Sequence, residues 1–364
     1  FSAAVVVTAC VSPAFGEEAA PADNYKWPKY QKVRFTEDYS GLAGLDAIPA
    51  RDGLDALKYI PLNDEGDWYV SFGGQIRLRF EDYQNFNFGR PAVNDDSFLL
   101  QRYFLHADVH MGDQFRVFTE LRSAAANDHD LSNPAHPRPM NMHDEFDVIN
   151  LFGEYTFNAW DDIDVTTRVG RWEMNFGKGR VVGCRNWSQL RRSFDGVSSR
   201  FTGQDGWVEA FWAQWVTANK FDSFNATDDD ISTWGVYGHL NASAGVFPFN
   251  FEPYIFGKEN QTGSKDEERA TVGARLYGAV PETRWSYDLE GGYQFDYGGT
   301  DVSAGFFSAE GTYKFDDPDT QSWLTFGFDW ASGDDDLTDG TIKTFEPVSA
   351  FGHYYFGYID QIGR

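Results

Sequence analysis

The sequence predicts an all-β protein, an antiparallel barrel of amphipathic strands. Three observations support this: a two-residue alternation of apolar and polar side chains, its recurrence along the chain, and connections that alternate between short and long. The alternation is clearest in WYVSFGGQIRLRFE, residues 68–81. Successive side chains of a strand point to opposite faces, so this segment has one apolar and one charged face. Strands of this kind form barrels that span a bilayer around a wet lumen, and we therefore predict a porin-like transmembrane barrel.

The composition is compatible with this fold. The 364 residues include 33 Phe, 18 Tyr and 12 Trp, and no segment reaches the roughly 18 consecutive apolar residues of a membrane helix. A barrel strand needs only about 10 alternating residues, so the polar average does not exclude a membrane protein. The alternative is a secreted β-sandwich or β-helix, whose strands also alternate.

The first element is a leader. We interpret residues 1–16 as the remainder of a secretory signal peptide, with Ala14 and Gly16 forming a small-x-small cleavage pattern. Lipidation at Cys10 is the alternative. Residues 17–66 are then a periplasmic segment with a short helix around Asp52–Lys58. Cleavage leaves Cys184 as the single cysteine, so we expect no disulfide.

The barrel is expected over residues 67–364. We predict 13 strands near 67–83, 98–111, 115–122, 146–157, 164–171, 195–202, 207–217, 231–240, 247–257, 269–280, 284–297, 301–315 and 321–332. Every second connection is short and the intervening ones are mostly long, as expected for periplasmic turns and outer loops. An odd strand number does not close such a barrel, so we expect further C-terminal strands beyond this chain.

One basic segment contrasts with a chain of net charge −26, a charge that argues against a nucleic-acid partner. Residues 166–200 contain eight Lys and Arg but only two acids, a local charge of +6. Neighbouring strands present further arginines on the same face. The candidate pore-lining and anion-binding residues are Arg77, Arg79, Arg102, Arg168, Arg171, Arg180, Arg191, Arg192 and Arg275.

Converging guanidinium groups form a binding track for carboxylates or phosphates, because each can donate to two oxygens at once. The structural alternative is that these arginines pair with lumen acids such as Glu120, Glu154 and Glu209. We expect both roles to occur. Trp172 and Trp187, with Phe176 between them, either stack on sugar rings or pack the loop.

Catalytic and metal signals are weak. His106, Asp108 and His110 share a strand face, but an ordinary polar wall explains them, and the His- and Asp-rich loop 127–145 fits no metal spacing. No pair of carboxylates stands out as general acid and base. No G-x-S-x-G, HExxH or phosphate loop occurs. We therefore expect neither an enzyme nor a cofactor.

The segment RVGRWEMNFGKGRVVGCRNWSQLRRSFDGV, Arg168 to Val197, resembles the central motif of the alginate export family of outer-membrane proteins. EDYSGL, DALKYIPL, SFGGQIRLRFE, LLQRYFLHADVHMG and ASGDDD resemble that family as well, in order along the chain. The resemblance implies a complete barrel of about 18 strands with an Arg-rich, anion-selective constriction. It places Arg168, Arg171, Arg180, Arg191 and Arg192 on the motif. Trp172 departs from it, standing where the family usually has Gln.

The expected function is a monomeric channel of the bacterial outer membrane with an Arg-rich lumen for anionic solutes. Uronate oligo- or polysaccharides such as alginate, or organic acids, would diffuse through it. The expected partners are the solute, outer-membrane lipid and periplasmic proteins. The alternatives are a secreted polyuronate-acting β-rich enzyme and a plugged structural or adhesive barrel.

Overall fold

A computed structural model describes residues 26–43, 45, 48, 52–85, 95–128, 142–160, 162–218, 224–242, 245, 248–263, 267–316, 322–350 and 352. The leader with Cys10 and most of the loop 127–145 lie outside the described residues. Three 3₁₀ turns precede the barrel strands, at Arg34–Thr36, Ser40–Leu42 and Asp55–Leu57. The last of these occupies the position of the expected short helix. No helix in the described part of the chain is long and apolar enough to cross a membrane.

In the described part of the chain, fourteen antiparallel strands form one sheet in sequence order. They are β1 Ile60–Pro61, β2 Trp68–Tyr83, β3 Asp96–Met111, β4 Phe115–Asn127, β5 Asp144–Trp160, β6 Ile163–Trp172, β7 Phe194–Gly203, β8 Gly206–Thr217, β9 Ala226–Leu240, β10 Asn250–Asn260, β11 Glu267–Ala279, β12 Trp285–Gly299, β13 Ser303–Lys314 and β14 Trp323–Ala331. The 13 predicted strands correspond to β2–β14, so the all-β antiparallel prediction is confirmed. The two-residue β1 adds to β2. Within the described residues, β1 and β14 are the sheet edges and do not pair with each other.

The two faces of the sheet differ as the alternation predicts. On β2, Ile76, Leu78 and Phe80 are 76%, 62% and 68% exposed, whereas Arg77 and Arg79 between them are only partly exposed. Water does not favour such a row of exposed apolar side chains, but a bilayer does. The apolar face is therefore the outer surface of the sheet.

The polar face surrounds the connection between β6 and β7, residues 173–193, which we call the inner loop. Arg77 of β2 donates to Asn186 of this loop, and Arg180 of the same loop pairs with Asp329 of β14. A single loop that contacts both β2 and β14 indicates that the sheet curls around it. Its apolar residues form a buried cluster with inward-facing aromatic side chains of the wall: Trp172, Met174, Val181, Val182, Cys184, Phe118, Phe152, Phe211, Tyr237, Tyr254 and Phe256.

Candidate functional site

The tip of the inner loop is held by two arginines that face each other. Arg77 and Arg102 are direct partners in the register of β2 and β3, where like charges repel. Both donate to the same two carbonyl oxygens: that of Asn186, at 2.9 Å and 3.1 Å, and that of Ser188, at 3.2 Å and 2.7 Å. Among the described residues, no carboxylate oxygen forms an ion pair with either guanidinium. Carbonyl dipoles therefore orient this pair without neutralising it.

Arg79 lies beside this pair, two residues further along β2. Its guanidinium donates to the Trp187 carbonyl at 2.8 Å and lies 4.2 Å from the Trp187 ring centroid. It also pairs with Glu81 at 2.5 Å. Arg79 is thus another anchor of the loop, and its charge is balanced locally.

Arg191 and Glu173 form the buried centre of the loop, 2.5 Å apart. Asn150 of β5 donates to Glu173 at 3.2 Å and to Glu120 at 2.8 Å, and its side-chain oxygen accepts the Glu173 backbone N–H. Burial raises the pKa of Glu173 to about 7, and Arg191 opposes that rise. This carboxyl group therefore titrates near neutral pH.

The opposite side of the loop is tied to the last strands. Arg180 contacts Glu310 and Asp329, both at 2.5 Å. Lys178 pairs with Glu310 at 2.5 Å and with Asp288 at 3.1 Å. Gly177 and Gly179, on either side of Lys178, have φ of 53° and 78°, a region that glycine enters without strain. The glycines allow the tight turn that presents both cations to these acids.

Three further candidates are cross-strand ion pairs. Arg168 of β6 stands opposite Glu154 and binds it at 2.6 Å and 2.9 Å. Arg171 binds both oxygens of Asp195 at 2.7 Å and 2.8 Å. Arg275 of β11 binds Glu252 and Asp288, at 2.7 Å and 2.5 Å. The register places an acid beside each arginine, so these residues brace the wall.

Arg192 is different. Its guanidinium lies 3.8 Å from the ring centroid of Trp215, and no carboxylate of the described residues forms an ion pair with it. Burial and the neighbouring Arg185 lower the pKa of Arg192 to about 9, so it remains charged at neutral pH. Lys258 approaches the same indole ring at 5.2 Å. Arg192 and Lys258 thus form a second cationic cluster on the inner face, around the Trp215 ring.

Sequence reasoning missed two cations of this region. Arg122 binds Asp144 at 2.5 Å and donates to the Arg191 carbonyl at 3.1 Å. It continues the inward alternation of β4, but the strand was expected to end at this residue. Lys258 pairs with Glu346 at 2.7 Å, a contact between segments 88 residues apart that no local pattern indicates.

The structure also shows where the candidate metal-binding and sugar-stacking residues lie. His110 and Arg116 both contact Asp108, and His106 lies 3.6 Å from Glu120. The described residues contain no cluster suited to hold a metal ion. Trp172 and Phe176 pack in the buried cluster, and Trp187 stacks on Arg79.

Several solved structures are similar to this chain, among them OccD3, OccAB1 and a BenF-like porin. OccD3 (OpdP) from Pseudomonas aeruginosa has a TM-score of 0.46 at 10% identity, covering 76% of this chain and 59% of its own. OccAB1 from Acinetobacter baumannii has a TM-score of 0.43 at 13% identity, and the match covers 79% of this chain and 69% of the OccAB1 chain. A BenF-like porin from Pseudomonas fluorescens Pf-5 has a TM-score of 0.44 at 13% identity, and the match covers 73% of this chain and 69% of the porin chain. This chain thus spans less than two thirds of the OccD3 chain.

No curated protein matches the sequence. The family model described as "Alginate export" matches residues 68–364, which include every strand from β2 to β14 and the whole inner loop. The chain therefore belongs to the alginate export family of outer-membrane β-barrel proteins.

Proposed function

We propose that this protein is an outer-membrane channel that lets anionic solutes, such as uronate oligo- or polysaccharides or organic acids, diffuse through an Arg-rich lumen. The observation that carries the proposal is the opposed pair of Arg77 and Arg102. Their like charges face each other across β2 and β3 and are held by two loop carbonyls rather than by carboxylates.

The opposed pair acts through its field, because Arg102 is fully buried behind the loop. Arg192 extends the positive region along the inner loop. A carboxylate about 4 Å from one cation gains about 1 kcal/mol in bulk water and about 4 kcal/mol at an effective dielectric constant of 20. Uncompensated cations therefore lower the barrier for anions and raise it for cations.

The paired arginines have a different part in this proposal. Arg168, Arg171 and Arg275 hold neighbouring strands together and present both charges of an ion pair to the lumen. Such pairs offer weak, reversible contacts to a passing carboxylate. Several weak sites let a solute leave as readily as it enters, so the proposed mechanism has no chemical step.

Arg192 offers the sharpest test, because its side chain contacts the Trp215 ring and forms no ion pair with a described acid. The wild-type protein in a planar bilayer under a KCl gradient should show a reversal potential whose sign indicates that chloride permeates more readily than potassium. Arg192→Gln should lower the chloride-to-potassium permeability ratio roughly fivefold, the equivalent of about 1 kcal/mol.

The matched control is Arg284→Gln, which removes the same charge from an exposed pair with Asp316 at a strand end. It should leave the ratio unchanged. Equal ratios for wild type and Arg192→Gln, or potassium preference of the wild type, would contradict the anion-channel proposal. Block of the current by uronate oligomers, but not by neutral oligosaccharides of the same length, would support the uronate assignment.

A further inference from the structure

A short segment that precedes the strands lies against the inner face of the sheet. The Phe35 ring centroid is 5.8 Å from that of Phe118 on β4 and 5.0 Å from that of Phe152 on β5. Phe35 and Val33 are each only 6% exposed and belong to the same buried cluster as the inner loop. Residues 32–37, which we call the N-terminal plug segment, therefore occupy space that the lumen would otherwise contain.

Two arginines fasten this segment through its backbone. Arg191 of the inner loop donates to the Lys32 carbonyl at 2.6 Å, and Arg116 of β4 donates to the Phe35 carbonyl at 2.7 Å. The Arg168 guanidinium lies 4.6 Å from the Phe35 ring centroid. The segment thus joins β4 of the wall to the inner loop.

Two charged side chains of the segment, Arg34 and Glu37, are satisfied close to it in sequence. Arg34 pairs with Glu37 at 3.1 Å, and Glu37 also accepts from the Gln31 backbone N–H and the Tyr39 hydroxyl. The contacts described above that hold the segment to the barrel are therefore apolar packing and neutral carbonyl acceptors.

The segment also bounds a cavity of about 730 Å³ at the end of the sheet where the short turns lie. Phe35 and Thr36 form part of the cavity wall, together with Arg116, Arg168 and Arg200. A solute that enters this cavity from the turn end thus meets Phe35 beside the arginines.

We propose that the N-terminal plug segment is a tethered plug that narrows the lumen beside the inner loop, and that its withdrawal opens the conduction path. This inference rests on the proposed channel function. The plug and the selectivity filter are separable, because the plug controls how much current flows and the arginines control which ion carries it.

The first experiment compares single-channel conductance of the full chain with that of Phe35→Ala and Phe35→Asp. Both variants remove the aromatic contact with Phe118 and Phe152, and the second also places a charge there. We expect at least a tenfold rise in conductance or in open probability. Leu54→Ala removes an apolar side chain that is 65% exposed and should change neither. Wild-type conductance in both Phe35 variants, with heat-modifiable gel migration confirming their fold, would overturn the plug.

The second experiment needs no current. Trypsin acting on the folded wild-type protein should cut readily after Lys26 and Lys29. It should cut at least tenfold more slowly after Lys32 and Arg34, because the scissile bonds there lead into the buried Val33 and Phe35. Phe35→Asp should remove that difference. Equal cleavage at all four sites in the wild type would overturn the plug even if the channel prefers anions. Protection of Lys32 and Arg34 in a protein without anion preference would instead retain the plug and contradict the proposed filter.

Discussion

Arg168 and Arg192 carry the same charge in different surroundings. Arg168 donates two hydrogen bonds to Oε1 of Glu154 on the facing strand, so its field is cancelled within a few ångströms. Arg192 meets the face of an indole ring, which attracts a cation without neutralising it. The residue type alone therefore does not decide whether an arginine could act in the proposed filter. What decides it is whether its partner is a carboxylate or, instead, an aromatic ring or a carbonyl.

We expect Glu173 to make the net charge beside the inner loop depend on pH. Its pKa of about 7, above the ordinary value of 4.5, results from burial, so the carboxyl takes up a proton as pH falls through neutrality. Arg191 then loses its negative partner, and the loop gains about one positive charge. Chloride preference should therefore rise as the pH is lowered from 8 to 6, and reversal potentials measured at each pH test this.

Glu173→Gln is the control for this titration. The amide retains the size of the side chain but cannot ionise, so the variant should keep the low-pH preference of the wild type at every pH between 6 and 8. A pH step that persists unchanged in the variant would assign the titration to another group.

At the scale of the element, β2 shows how one strand can face lipid on one side and the interior of the barrel on the other. Its outward side chains Ile76, Leu78 and Phe80 suit lipid, and its inward side chains Arg77 and Arg79 hold the inner loop. A shift of one residue in register would exchange these two sets. The two environments thus fix the pairing of the strand more strongly than a sheet with two similar faces would.

Ile76→Arg should destabilise the folded barrel by about 2–4 kcal/mol, the cost of an arginine on the lipid face near the bilayer midplane. Urea unfolding in lipid vesicles measures this change. Thr312→Arg introduces the same side chain beside an inward cavity of about 340 Å³ and should cost less than about 1 kcal/mol. Equal destabilisation by both substitutions would mean that the two faces have been assigned wrongly.

At the scale of the whole molecule, the proposed ion preference depends on the charge beside the inner loop rather than on the net charge of the chain. The chain carries −26, yet the inner loop and the strands around its tip hold cations without ion-pair partners among the described acids. Acids in turns, such as Asp316 and Asp335, are largely exposed and screened by salt. Buried charges beside the loop are screened much less.

This distribution predicts a graded dependence on ionic strength. The Debye length falls from about 10 Å at 0.1 M salt to about 3 Å at 1 M. Chloride preference should therefore weaken between these concentrations, because part of the field reaches the solute through water. Reversal potentials at a fixed KCl ratio and increasing mean concentration measure the effect. A preference that stays constant would indicate direct contact alone.

The sequence by itself determined the strand order, the faces and the family. Alternation locates β2–β14 because a strand has a period of two whatever it packs against, and the motif over residues 168–197 carries the family resemblance. β4 and β9 extend further than predicted, by residues 123–127 and 226–230. The end of β4 consists mostly of alanine and the start of β9 mostly of polar residues, so neither segment shows the alternation of large apolar side chains that marks the pattern.

Only the tertiary structure decided which arginines keep an uncompensated charge. Arg77 and Arg102 become a pair through register, Arg192 meets Trp215 through the path of the inner loop, and Phe35 enters the basic region through contacts that span more than 80 residues. Such contacts follow from the closure of long loops and from the packing of the inner face. A sequence pattern of period two records which face a side chain takes, but not what it meets there.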